Sequence, residues 1–171
     1  MKDNQTIDID ESVILQNKTG SIMKRLILIL ALMQTISSYA QDNDSISRLI
    51  IGMEKSALER WNHGDPSGFL EISAKDVVYF DPMRDQRLDG IDQLTALYEN
   101  IRGKIRAEKY DMANPKIQSV DSMAVLTYNL ISYSGESQHR WNCTEVYRLE
   151  KDGKWKIIQT HWSFKKPNMK Q

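Results

Sequence analysis

The apolar residues of this chain recur first every three or four positions and later every second position. Ile46, Leu49, Ile50, Met53, Ala57, Leu58 and Trp61 have helical spacing, which predicts a first helix with one buried stripe, capped by Asp44 or Ser45 and ended by Gly64. Asp65-Pro66 opens a short second helix through Phe69, Leu70 and Ile72, with proline at the first helical position, where its missing N–H costs nothing. Asp76–Asp81 alternates as a strand, with Val77, Tyr79 and Asp81 on one face and Val78 and Phe80 on the other, and Pro82 stops it. A polar loop, MRDQRLDG, leads to a third helical stripe of Ile91, Leu94, Leu97, Tyr98 and Ile101.

The remainder reads as strands. Lys109–Val120 is irregular and broken by Pro115, whereas Met123–Ser134 alternates cleanly between Ala124/Leu126/Tyr128/Leu130 and Val125/Thr127/Asn129/Ile131/Tyr133. Two long runs, together spanning His139–Phe164, meet at Asp152-Gly153, a dipeptide that tolerates the positive φ of a tight hairpin turn. On the first run His139, Trp141, Cys143, Glu145, Tyr147 and Leu149 share a mostly apolar face. Glu145 is its exception, and a carboxylate there is paired, protonated, or beside a cavity.

Helices grouped ahead of consecutive antiparallel strands argue an α+β fold, with a curved sheet packing one face on the helices. Met23-Lys24-Arg25, the apolar run Leu26–Met33 and the small-residue site Ser38-Tyr39-Ala40 have the three regions of a secretory signal peptide, too short to span a bilayer. The expected organisation is an extension over 1–22, a signal peptide over 23–40 and one domain over 41–171, exported to the periplasm or secreted after cleavage near Ala40. Translation starting at Met23 would explain the polar extension.

Charge then narrows the partners. Lys+Arg and Asp+Glu number 23 each, four of each before residue 41, leaving 19 of each in the expected mature segment. Without a basic field, sequence-independent nucleic-acid binding is not expected. The single cysteine, Cys143, forms no internal disulfide and reads as a small buried hydrophobe. There is no Cys/His ligand cluster, Gly-rich phosphate loop or G-x-S-x-G, so no metal or cofactor is expected.

Four motifs in order, Asn62-His63-Gly64-Asp65, Tyr79-Phe80-Asp81-Pro82, Leu88-Asp89-Gly90 and Asp152-Gly153-Lys154-Trp155, give Ile46–Ser163 a resemblance to the nuclear-transport-factor-2-like superfamily. The chain most resembles its SnoaL-like branch and the association domain of calmodulin-dependent kinase II. The resemblance implies a cone-shaped roll, a curved, mostly antiparallel sheet around three N-terminal helices, with a pocket at the open end. Fold alone does not choose among the isomerases, cyclases, dehydratases, binding modules and oligomerisation hubs that share it.

Against the ketosteroid isomerases, the resemblance places Asp81 at the general base, Glu145 at a protonated acid and Tyr98 at a hydrogen-bonding tyrosine. Ala57 stands where their first-helix tyrosine donor would be, a loss typically worth about 3–4 kcal/mol of transition-state stabilisation. Two pocket arginines of the kinase hub correspond to Asn129 and Trp162, leaving a less cationic cavity. Both comparisons turn Thr127, Asn129 and Ile131, and Ile158, Thr160 and Trp162, toward the inside, with Tyr79, Asp81, Tyr98, Asn129, Trp141, Glu145 and Trp162 at the mouth.

On its own residues Asp81 also reads as a turn carboxylate, Glu145 as a hydrogen-bonded structural acid, and His161 as a packing or subunit-contact residue. The expected function is binding of a small, largely apolar molecule, with acid/base isomerase or cyclase chemistry by Asp81 and Glu145. The alternative is a non-catalytic binding or oligomerisation module. A homodimer is expected through the outer sheet face, where Arg140, Asn142, Thr144, Arg148 and His161 would lie.

Overall fold

The computed structural model describes residues 43–165, so the expected extension and signal peptide lie outside the described residues. The described residues fall almost wholly within the compact unit Asp44–Gln171. Helix α1 covers residues 43–62 and turns at His63-Gly64, where Gly64 takes φ +82°. Helix α2 (Ser67–Ile72) starts one residue later than expected, because Asp65 Oδ1 accepts the Ser67 N–H at 2.9 Å and Pro66 becomes the cap.

Strand β1 (Ser73–Phe80) follows without a loop. It begins three residues before Asp76, since Ser73 is already extended and pairs with Ile157. Strand β2 (Leu88–Asp89), in what the sequence reads as loop, pairs antiparallel with β1 and buries Leu88. Helix α3 (Ile91–Ile101) buries Leu94 and Tyr98.

The rest is antiparallel: β3 (Lys109–Val120), β4 (Met123–Ser134), β5 (Ser137–Leu149) and β6 (Trp155–Phe164). Pro115 does not break β3. It occupies a bulge, with the pairing stepping from Ala113 to Lys116 and Asn114 at φ 54°, so the missing N–H removes nothing from the ladder. The final turn is longer than a two-residue hairpin. Glu150 N–H bonds Lys154 O at 2.8 Å, Gly153 N–H bonds Glu150 O at 2.9 Å, and of Asp152 and Gly153 only the glycine takes positive φ.

The sheet order is β2-β1-β6-β5-β4-β3, with β1 parallel to β6, so the chain forms the expected α+β cone architecture. Its inner face carries Ala124, Leu126, Tyr128 and Leu130 from β4, and Cys143, Glu145 and Tyr147 from β5. Residues directly opposite on antiparallel strands share a face, and Tyr128 lies opposite Cys143. The expectation that Thr127, Asn129 and Ile131 point inward is therefore wrong: they lie on the outer face.

A bulge corrects β6 as well. Tyr147 pairs with Ile157 but Val146 pairs with Gln159, leaving Ile158 as the extra residue. Ile157 replaces Ile158 on the inside, and Thr160 stays there, 5% exposed.

Outside the core, Arg102 bonds Asp65, Ser67 and Glu99, and Arg60 bonds Asp65 and Glu71, stitching the three helices at the surface. Ser67, through its hydroxyl and its backbone N–H, and then the Arg60 and Arg102 guanidinium groups hold the Asp65 carboxyl well below its usual range.

Gly64 is a close backbone joint. A Cβ built there would sit 2.9 Å from Gly103 Cα, and its φ lies in the left-handed region. Gly64→Ala is expected to cost about 2 kcal/mol of stability, read as a lower urea midpoint at unchanged slope.

Candidate functional site

Two carboxylates lie inside the cone, and one was not singled out by its sequence. Glu54 is 0% exposed and Glu145 1% exposed. Glu54 sits four residues after Ile50 and four before Leu58, in the middle of the buried stripe of α1. That spacing was the available signal: an acid at a stripe position of an otherwise apolar helix face points inward.

Hydroxyls surround the pair. Tyr128 Oη donates to Glu54 Oε1 at 2.5 Å, and Tyr147 Oη lies 2.8 Å from Glu54 Oε2 and 3.0 Å from Glu145 Oε2. Thr160 Oγ1 donates to the other Glu145 oxygen at 3.2 Å. Every fully buried side-chain polar atom among the described residues has a partner.

Burial first, and then the neighbouring Glu54 charge, push the Glu145 carboxyl well above its ordinary value of 4.5. Burial likewise raises the phenols of Tyr79, Tyr98, Tyr128 and Tyr147 and the Cys143 thiol. The thiol is thereby held in its unreactive form.

The expected site residues divide into three groups. Glu145 and Thr160 touch, and the edge-to-face pair Tyr79 and Tyr98, with centroids 5.9 Å apart, is buried in the same interior. Trp141 and Trp162 are partly buried and meet edge to face at 6.3 Å, while Trp162 meets Tyr128 at 5.8 Å. Phe164, 46% exposed, stacks at 4.2 Å on Trp141, so an aromatic path runs from solvent to the tyrosine that holds Glu54.

Asn129 and Asp81 lie apart. Asn129 faces outward and donates to Asn142 Oδ1 at 2.9 Å. Asp81 lies at the end of β1, where its Oδ1 accepts the Met83 N–H at 2.7 Å and its carbonyl accepts the Arg84 N–H. The acid beside Glu145 is thus Glu54 from α1. A surface groove of about 420 Å³, lined by Leu49, Met53, Arg60, Gly68 and Ile72 among others, shares no lining residue with this cluster. Among the described residues no His/Cys/Asp/Glu group could hold a metal ion, and no helix is long and apolar enough to cross a membrane.

The family described as the calcium/calmodulin dependent protein kinase II association domain matches residues 47–166. The chain belongs to this association-domain family. Among solved structures, it is similar to a provisionally assigned ketosteroid isomerase from Parabacteroides distasonis, at 45% identity and TM-score 0.66, covering 71% of this chain and 89% of that one. It also resembles an NTF2-like protein of unknown function from Pseudomonas putida (19% identity, TM-score 0.65, 74% and 91% covered). A third likeness is to the association domain of the C. elegans kinase (14% identity, TM-score 0.61, 71% and 98% covered). The last two speak to fold alone. No curated protein matches the chain. The superfamily assignment made on four short motifs therefore holds for this association-domain chain.

The raised Glu145 carboxyl gives the fold a pH dependence with a definite sign. Above pH 4.5 the folded state keeps a proton that the unfolded chain releases, so this contribution is complete below that value and declines as pH rises toward the folded midpoint. One such proton gives a slope of about 1.4 kcal/mol per pH unit. Surface carboxylates held low, such as Asp65 and Asp76, act oppositely and at lower pH. Glu145→Gln, which keeps the shape without the ionisation, is expected to flatten the decline in melting temperature above pH 4.5.

Proposed function

We propose that the chain is an exported small-molecule-binding protein whose interior presents the Glu145 carboxyl to the oxygen of a largely apolar carbonyl compound or its enol. Such a setting suits acid/base isomerase or cyclase chemistry. The observation that carries this reading is the wholly buried Glu145, hydrogen-bonded to Thr160 and Tyr147 beside a second buried acid, Glu54, with the rings of Phe164, Trp141 and Trp162 leading in to Tyr128, which bonds that second acid. Strongly perturbed ionisable groups gather at functional sites, and small-molecule sites pair apolar walls with a few convergent polar groups.

The assignment of the 45% identical Parabacteroides protein points the same way. Ala57, small and without a hydroxyl, tempers the chemistry more than the binding.

A naphthol, planar and weakly acidic, is a suitable probe, with tryptophan fluorescence as the readout. Saturable quenching is expected, weakened roughly thirtyfold by Trp162→Ala and abolished by Glu145→Leu, which removes the carboxyl but keeps an apolar filling. Naphthol affinity unchanged by Glu145→Leu would sink the proposal. Asp81→Asn is expected to leave binding intact. If a cyclic β,γ-enone is isomerised, loss of turnover in that variant assigns Asp81 the base, and retained turnover leaves it a turn residue.

A second reading, self-association, is favoured by the family match to an association domain. The outer sheet face offers a polar row for it: Asn129 bonds Asn142, Asn142 bonds Ser163 at 3.4 Å, and Thr144 lies opposite the exposed His161. Sedimentation equilibrium is expected to give a homodimer that Asn142→Arg converts to monomer. A parent protein of monomer mass would remove this reading.

A further inference from the structure

The surface groove of about 420 Å³ lies between α1 and α2 and has the volume of a small-molecule site. Two glycines shape it. At Gly68 a Cβ would lie 2.9 Å from Ala57 Cα, so the two helices cross backbone to backbone at one end of the groove. Gly52 has the opposite setting, since a Cβ there would meet nothing within 4 Å. Glycine is the poorest helix former after proline, and neither a close approach nor a positive φ demands it in the middle of α1. Its effect is to leave the groove open.

The walls are apolar and the charges are placed unequally. Leu49, 51% exposed, and Met53 line the groove from α1, and Ile72 lines it from α2. Near the crossing, Arg60 is fully answered: it donates to Glu71 at 2.8 and 3.1 Å and to Asp65 at 2.7 Å. Arg48 is not. It lies three turns back along the same ridge of α1, roughly 18 Å away, is exposed, and makes no hydrogen bond or ion pair among the described residues. The groove thus has a neutralised end that includes an acid, an apolar middle, and a free cation at the other end.

We propose that this groove is a second binding site, for a free single-chain carboxylate of medium length such as decanoate, with its head on Arg48 and its chain along Leu49, Gly52, Met53 and Ile72 toward the crossing at Gly68. A guanidinium matches a carboxylate in geometry as well as charge, but an exposed pair is weak. Most of the affinity therefore comes from the chain, which selects an amphiphile over a small anion. Glu71 sets the polarity of the far end: a ligand charged at both ends would bring its second carboxylate against that acid. The groove shares no residue with the Glu54–Glu145 cluster, and the inference does not rest on the proposed function.

The experiment is a titration of the purified protein with decanoate below its micelle threshold, followed by calorimetry and by NMR of carbon-13-labelled methionine methyl groups. Saturable binding of one decanoate is expected to shift the Met53 signal and to leave that of Met112, which pairs with Leu130 on the inner sheet face, in place. From octanoate to dodecanoate the affinity is expected to rise two- to fourfold per methylene, and decanedioate to bind more weakly than decanoate. Arg48→Gln is expected to weaken decanoate about fivefold. Gly52→Leu, which improves the helix and places a side chain in the open space, is expected to abolish binding while the protein stays folded. Binding that appears only above the micelle threshold, survives Gly52→Leu, ignores Arg48→Gln or shifts Met112 in place of Met53 overturns the proposal. None of these outcomes depends on whether naphthol binds.

Discussion

Glu54 reaches from the first helix to Tyr128 and Tyr147 on two different strands, 74 and 93 residues further along the chain. Apolar packing alone would let α1 slide or rotate over the concave face, because dispersion contacts are weakly directional. Two hydroxyl bonds to one carboxylate are directional, and a buried charge that lost them would cost far more than an ordinary surface bond. The helix orientation, the position of Tyr147 and the environment of Glu145 thus depend on one side chain. The same arrangement carries a chemical consequence, since a carboxylate satisfied only by phenols and a neighbouring acid has no cation to neutralise it among its hydrogen-bond partners.

Much of the fold was legible because period and punctuation agreed. The stripes of α1 and α3, the limits of β4 and the final hairpin follow from spacing and turn residues. Bulges were not legible. Each inserts one residue into a strand of period two, so the face of Ile158 cannot be deduced from Thr160, and Pro115 looks like a break when it occupies a bulge. Strand β2 is two residues long and offers no period at all.

The site was half legible for related reasons. Glu145 stands out because strand alternation makes an acid on an apolar face conspicuous. Glu54 does not, because a helix tolerates acids nearly everywhere and only its exact place in the stripe marks it. Asn129 was misplaced by carrying over a pocket position from relatives whose fold is shared but whose details are not. Membership of the association-domain family and 45% identity to a protein named for isomerisation point to different functions for one shared fold.

The proline bulge in β3 has a consequence beyond its own strand. Sheet edges are templates for further strands, and this sheet has one edge interrupted by Asn114 at positive φ and Pro115, and another only two residues long. Edge-to-edge growth, the common route by which β-rich proteins become fibres, is blunted at both ends. Neither side of the sheet therefore offers one long, regular row of unpaired backbone groups for a further strand to continue.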